Sequence, residues 1–565
     1  MKLSGLPDDG VAYDLCVAGA GPVGLALALE AAETGQRVLL LDAGTETSGR
    51  HDKPAAQRRD DTVLDPAHHA PELQTTRLGV GGTSWLWGGR CVQFEEVDFE
   101  RRDYLPGSNW PIGYAEVLPW QALAEQYLDC GTGPFVSDQP DWEGLGELHM
   151  TQTERWARQP KIGPRLGAAA AAHPGVDLLC DAPVVAVVFS TAGATVDHLR
   201  ILRHGLPATV RATRYALACG GMETTRLLLG AQRTLPGAFG GVDGPLGRYY
   251  MGHAAGSIAN IVLTDPADFA ALDFHRDEHD SYVRRRFSLS GDALREHRLL
   301  NASFHLDNPP FHDFRHRNAT LSAVFLALSF PPVGRRILAE GIRLRHIGAA
   351  PRRYWPHVAN VLRRPWRAIA DTGDILRHRY FSTVRKPGFV LRNDGGTYAV
   401  HYHAEQTANP ESRVRLNGRL NQDGTPCLDI DFRYADRDID SVLRFHEVLD
   451  ERLRASGRAH LEYLEPPEHR AAAVWDQAID GFHHIGTTRM SADPADGVVD
   501  GDCRVHGVDN LFLASSSVLR TSGEANPTFT TVCLAVRLAH HLAPAGVLSP
   551  GAAPASSKVD GSAVA

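Results

Sequence analysis

Ala18-Gly19-Ala20-Gly21-Pro22-Val23-Gly24 decides how this chain is read. It lies between an apolar run, Leu15 to Val17, and a helix-forming run, Leu25 to Glu33. Strand, glycine turn and helix in that order suit a dinucleotide. Gly19 fits the tight turn, Gly21 lets a pyrophosphate approach the backbone, and Gly24 lets the helix pack on the strand. The first amides of the helix then face the phosphates. A second apolar run, Val38 to Leu41, ends at Asp42. A carboxylate there can accept from the adenosine ribose hydroxyls and would repel a 2′-phosphate. Glycine clusters also make ordinary loops, so the flanking strands, the helix and Asp42 carry the assignment together.

Further along, Leu78-Gly79-Val80-Gly81-Gly82-Thr83-Ser84-Trp85-Leu86-Trp87-Gly88-Gly89-Arg90 is too rich in glycine for a helix. It reads as a loop that brings backbone against something large and flat, or else as a turn between strands. A strand-rich region follows, Val184 to Phe189 and Tyr215 to Gly221, and it passes into a helix at Met222 to Leu229. This second strand-to-helix passage either closes over the same nucleotide or is only a corner of the sheet. From Met251 to Asp480, aromatic strands such as Gly396 to His403 mix with helices such as Asp438 to Ala455, marking a candidate substrate lobe.

A chain of 565 residues exceeds what one core usually holds, which predicts two or more domains. With 43% hydrophobic and 22% charged residues the composition is that of an ordinary globular protein, and a formal net charge of -9 gives no support to nucleic-acid binding. The eight cysteines are scattered without a C-x-x-C pair, which fits a reducing compartment. The first residues lack the hydrophobic core of a signal peptide, and no apolar run is long enough to span a membrane. The expectation is a cytoplasmic protein. One segment departs in charge: Arg335 to Arg379 holds eleven arginines against Glu340, Asp371 and Asp374. It reads as a solvated helical face or, with Trp355 and Trp366, as a docking surface for an anionic membrane or a partner. Residues 543–565, rich in Ala, Gly, Pro and Ser, read as a disordered tail without assigned function.

The second dense region is Gly481-Phe482-His483-His484-Ile485-Gly486, followed by Cys503-Arg504-Val505-His506-Gly507, Ala525-Asn526-Pro527-Thr528 and a closing helix from Phe529 to Leu542. With the N-terminal fingerprint, the glycine-rich loop, the Cys219 to Leu229 passage and Glu411-Ser412-Arg413-Val414, this arrangement resembles the glucose-methanol-choline (GMC) oxidoreductases, FAD enzymes that oxidise alcohols. The resemblance implies an α/β fold, with a Rossmann-like FAD-binding domain and an interleaved α+β substrate-binding domain of antiparallel sheet plus helices. The expected boundaries are 1–105, 175–260 and 481–542 for the FAD domain, 106–174 for a lid and connecting segment, and 261–480 for the substrate domain.

The resemblance also implies roles. The family's catalytic histidine opens H-x-x-G and falls on His483, and its partner before the closing helix falls on Asn526. Gly19, Gly21, Gly24, Asp42, Gly81, Gly82, Thr83, Val184, Gly220, Asn526 and Thr528 are expected to hold FAD. The chemistry fits these residue types: oxidising an alcohol removes a hydroxyl proton as well as a hydride, and histidine is matched to taking that proton near neutral pH. Asn526 can orient the same hydroxyl. His484 competes for the role of base, since neighbours on an extended segment point opposite ways. His403, Gln406 and His484 are tentative substrate contacts, although His401 and His403 also fit a solvated strand end. No metal is expected, because His483, His484 and His506 lack acidic or thiol ligands at a fitting spacing.

Some relatives, pyranose 2-oxidases among them, carry a flavin-linked histidine in the glycine-rich loop. The nearest position here is Leu86, so non-covalent FAD is expected. The R-V-H-G and A-N-P-T segments look closer to the pyranose-oxidase and sugar-dehydrogenase branch, which turns the expected substrate towards a sugar, glycoside or polyol, with O₂ or a protein or quinone carrier accepting the electrons. The competing readings are a lyase that keeps FAD but cleaves cyanohydrins, and a non-catalytic flavin-binding protein.

Overall fold

The computed structural model describes residues 1–6, 12–45, 61–191, 193–330, 332, 347, 352–392 and 395–544. The tail expected from 543 lies outside them beyond 544, as does most of the basic segment before 352.

Five strands form a parallel sheet in the order Leu511–Leu513, Arg214–Leu217, Leu15–Ala18, Val38–Leu41, Val176–Leu179. Every residue of Leu15–Ala18 and Val38–Leu41 is buried, which is why both read as unbroken apolar runs: a parallel sheet is covered on both faces. Helix Pro22–Glu33 and the closing helix Thr528–His541 pack against each other. Their contact includes His540 Nε2 against Glu30 at 2.8 Å. Three stretches far apart in sequence thus build one parallel sheet.

The second sheet has six antiparallel strands, in the order Ala459–Tyr463, His253–Leu263, Thr397–Glu405, Ala302–Asp307, Phe287–Leu289, Leu148–His149. Helix Asp436–Ser456 covers it, burying Ile439, Val442, Phe445, Leu449 and Leu453 at helical spacing. Asp438 accepts from the Ala435 amide at its start, and Gly457, at φ 67°, ends it. This sheet runs across two of the expected boundaries. His253–Leu263, which straddles the expected boundary at 260/261, pairs with Thr397–Glu405. Leu148–His149, assigned to a lid, supplies an edge strand. Strands of a half-buried antiparallel sheet look alike wherever they occur in a chain, so sequence could not say which sheet these join.

His446 lies within that buried helix face, its Nδ1 donating to the Val442 carbonyl at 2.7 Å. Burial pushes its pKa down to about 4, so the folded chain keeps it neutral where the unfolded chain, near pKa 6.5, takes a proton. The unfolded state binds more protons between those values, and stability rises with pH across that window. His446→Leu is expected to remove up to about 1.4 kcal/mol per pH unit of that slope. Urea midpoints measured across the window check it.

Candidate active site and cofactor cleft

Where Leu15–Ala18 runs into helix Pro22–Glu33, each glycine meets a different constraint. Gly19 has φ +108°, and a Cβ there would strike the Ala218 carbonyl; at Gly24 it would strike the Gly19 carbonyl oxygen. Gly21 has ordinary extended backbone. A Cβ on Gly21 would meet no atom within 4 Å, and the same holds at Gly220. Both positions lie on the wall of a cleft of about 840 Å³, so the missing side chains are what keep it clear. Asp42, Gly82, Thr83, Val184 and Thr528 line the same cleft. Gly24 and Gly81 are not on its wall: Gly24 packs helix on strand, and the Gly81 amide donates to the Ala20 carbonyl at 2.8 Å.

The Asp42 carboxylate is buried and accepts from three backbone amides, Ala20 at 2.8 Å, Gly44 at 2.8 Å and Gly79 at 2.9 Å. It therefore fastens the glycine turn to the glycine-rich loop. Three of the roughly four acceptor directions of a carboxylate are taken, leaving one towards the cleft.

At the other end of the cleft His483 and Asn526 meet across 43 residues of sequence, with Asn526 Nδ2 2.9 Å from His483 Nε2. Sequence reasoning missed two further residues here. Asp480 Oδ2 is 3.0 Å from His483 Nδ1, and His253 Nδ1 is also 3.0 Å from it. The Asp480–Gly–Phe–His483 spacing was available as a signal. His253 gave none, because a strand of the second sheet brings it in from 230 residues away. Gly252 makes room for the arrangement, since a Cβ there would lie 2.6 Å from Asp480 Oδ2.

These contacts fix the protons. His253 Nε2 faces the Ser522 carbonyl at 3.3 Å and must donate to it. With a proton on Nε2, a neutral His253 presents a lone pair at Nδ1, and burial lowers its pKa and so favours this neutral form. His483 Nδ1 therefore bears a proton shared between His253 and Asp480. His483 Nε2 is left with a lone pair, turned to the Asn526 amide in the cleft wall. Burial alone would raise the Asp480 pKa, but His483 and His253 hold it well below the usual carboxylate range. Asn526 Oδ1 is buried without a hydrogen-bond partner.

The loop carrying Asn526 is tied down from the second domain. Glu524 pairs with Arg286 and accepts from Ser303 Oγ at 2.7 Å, while the Gln406 amide donates to Ser522 Oγ at 2.9 Å. Of the three expected substrate contacts, His484 lines the cleft, whereas Gln406 and His403 are engaged inside the protein. Gln406 spends its side chain inside the protein, accepting from the Gly252 amide and donating to the Arg433 carbonyl. His403 lies behind His253, stacked on it at 4.2 Å and donating to the Glu524 carbonyl. His484 touches the cleft, but its Nε2 donates to the Gly481 carbonyl at 2.9 Å, and burial lowers its pKa to about 3. The second sheet that buries the first two was not legible as a unit in the sequence.

A parallel nucleotide-binding sheet, an antiparallel second domain and a histidine–asparagine pair in the cleft between them define a two-domain dinucleotide-binding protein. Residues 408–535 match the family described as GMC oxidoreductase. Among curated proteins the chain is 31% identical to paromamine 6'-oxidase of Streptomyces fradiae over 135 residues, 24% of this chain and 23% of that protein. It is 34% identical to C-glycoside 3-oxidase of Arthrobacter globiformis over 135 residues, 24% of each chain. The match thus spans about a quarter of the length of these two relatives. Pyridoxine 4-oxidase from Mesorbium loti has the same fold, with a TM-score of 0.52 at 18% identity over 94% of this chain and 99% of that one. The region 408–535 is thus similar to the GMC oxidoreductases, and the chain as a whole shares the fold of the solved structure.

Proposed function

We propose that the protein oxidises a CH–OH group of a sugar, glycoside or polyol to the carbonyl, with non-covalently bound FAD and with His483 as the base. The observation that carries this reading is His483 Nε2 held 2.9 Å from Asn526 Nδ2, with both residues on the cleft wall. The family and the C-glycoside 3-oxidase relative support the reaction class and the turn towards sugars. FAD suits the cleft because Gly21 and Gly220 leave open the space a Cβ would fill, and the helix starting at Pro22 points its free amides there. Leu86, on the cleft wall where some relatives carry the linking histidine, offers no atom for a covalent bond.

When bound, FAD supplies the hydride acceptor, and O₂ or a separate carrier reoxidises it. The chain supplies the rest. His483 Nε2 takes the hydroxyl proton, and Asp480 at Nδ1 stabilises the imidazolium that results. Asn526 Nδ2, beside Nε2 on the cleft wall, donates to the hydroxyl oxygen and so directs its C–H along the cleft.

Anaerobic visible spectra of the holoprotein test this, recorded before and after adding sugars, glycosides, polyols and simple alcohols. The oxidised-flavin bands are expected to bleach with the sugar and glycoside set, and acid denaturation should release the flavin into solution. Flavin left on the denatured chain would overturn non-covalent binding. Bands that no alcohol bleaches would overturn the oxidation and favour the lyase chemistry found with the same cofactor.

A further inference from the structure

The helices at 355–376 turn large apolar side chains to the outside, and the first of them buries only polar ones. In helix Trp355–Arg363 the side chains turned towards the protein are polar: His357 shares a hydrogen bond with Ser322 Oγ at 3.0 Å and stacks on Phe325 at 4.1 Å. Asn360 donates to the Phe314 carbonyl at 2.9 Å, and Asp371 of helix Pro365–Leu376 accepts from Thr320 Oγ1 at 2.7 Å. The large apolar side chains are turned outward. Trp355 is 83% exposed, Trp366 80% and Phe381 83%, with Leu362, Ile369 and Leu376 exposed beside them. Within each helix these positions recur at intervals of three or seven residues, so each helix presents one apolar stripe. A helix on the surface of a globular protein normally shows the reverse. Arginines 352, 353, 363, 364, 367 and 377 lie in the same stretch against only Asp371 and Asp374.

We infer that this face docks on an anionic lipid bilayer. The tryptophans and Phe381 enter the boundary between headgroups and acyl chains, and the guanidinium groups meet lipid phosphates. Charge decides the occupant: a second copy of this chain would set two arginine-rich rims against each other, whereas an anionic surface complements both the rim and the aromatic stripe. No helix among the described residues is long and apolar enough to cross a membrane, so the contact is one of lying on the surface. The arm is rooted beside the cleft. Val384 packs with Trp156 and Tyr282, and the next residue, Arg385, neighbours Lys161. The Lys161 ammonium donates to the Trp85 carbonyl of the glycine-rich loop at 2.5 Å. Docking therefore sets the cleft loop at a fixed side of the molecule relative to the lipid surface.

The test is co-sedimentation of the full-length holoprotein with vesicles of phosphatidylcholine alone and with added phosphatidylglycerol. Binding is expected to the anionic vesicles, weakened by salt. Trp355→Ser/Trp366→Ser is expected to cut it by about tenfold or more, since two large apolar side chains no longer leave water. Arg353→Glu/Arg363→Glu should weaken it as well, and neither variant should alter flavin content. Failure of the protein to sediment with anionic vesicles, or a tryptophan variant that sediments like the parent, would overturn the assignment. So would a dimer in sedimentation velocity that the tryptophan variant dissociates, because the face would then be occupied by a second copy.

Discussion

His483→Ala is expected to keep FAD and to slow flavin reduction by at least about 10²-fold, the lower end of what a positioned general base contributes. The loss should fall on the rate of reduction and not on cofactor binding, because the glycine turn, the glycine-rich loop and Asp42 that shape the FAD end of the cleft lie apart from His483. No neighbour can replace it. His484 has its Nε2 on the Gly481 carbonyl and a pKa pushed down to about 3 by burial, so it is a poor proton acceptor at neutral pH. His253 meets the Nδ1 side of His483, away from the lone pair that faces Asn526. Stopped-flow reduction under anaerobic conditions, with flavin content read from the same spectra, measures both quantities. Near-normal reduction would remove His483 from the role of base.

The parts legible in the sequence were those set by local backbone chemistry. Gly19, Gly21 and Gly24 carry distinct steric demands within one turn, and the structure shows three distinct surroundings for them. His483 and Asn526 could be placed because short motifs flank each, although their meeting at 2.9 Å depends on a loop held from the second domain by Arg286, Ser303 and Gln406. The illegible parts were set by long-range strand pairing. Nothing near His253 marks it as a neighbour of His483; the register of His253–Leu263 against Thr397–Glu405 makes it one. The same pairing turns His403 onto His253 and away from the cleft, so a residue chosen for strand alternation became part of the packing behind the site. Asp42 shows the limit of reading a residue type alone, since an acidic residue at the end of the second strand has three backbone amides on it before any ribose arrives.

Asp480 tests whether the site depends on fixing a tautomer. In Asp480→Asn the oxygen that accepts from the Phe482 and His483 amides can be retained. The new amide nitrogen then takes the place of Oδ2, facing the His253 amide at 2.7 Å and His483 Nδ1 at 3.0 Å. Both positions now present donors to one another. His483 relieves the conflict by moving its proton from Nδ1 to Nε2, which removes the lone pair that would take the substrate proton. The imidazolium formed in the reaction also loses the buried carboxylate that stabilises it. Together these are expected to lower kcat by about 10² to 10⁴, the scale seen when the carboxylate behind a catalytic histidine is replaced by its amide. KM should change much less, because Asp480 does not reach the substrate. A purely structural role would lower flavin content together with kcat, whereas loss of the carboxylate should lower kcat with FAD retained. Unchanged kcat with bound FAD would show that the proton on His483 Nδ1 is held by His253 alone.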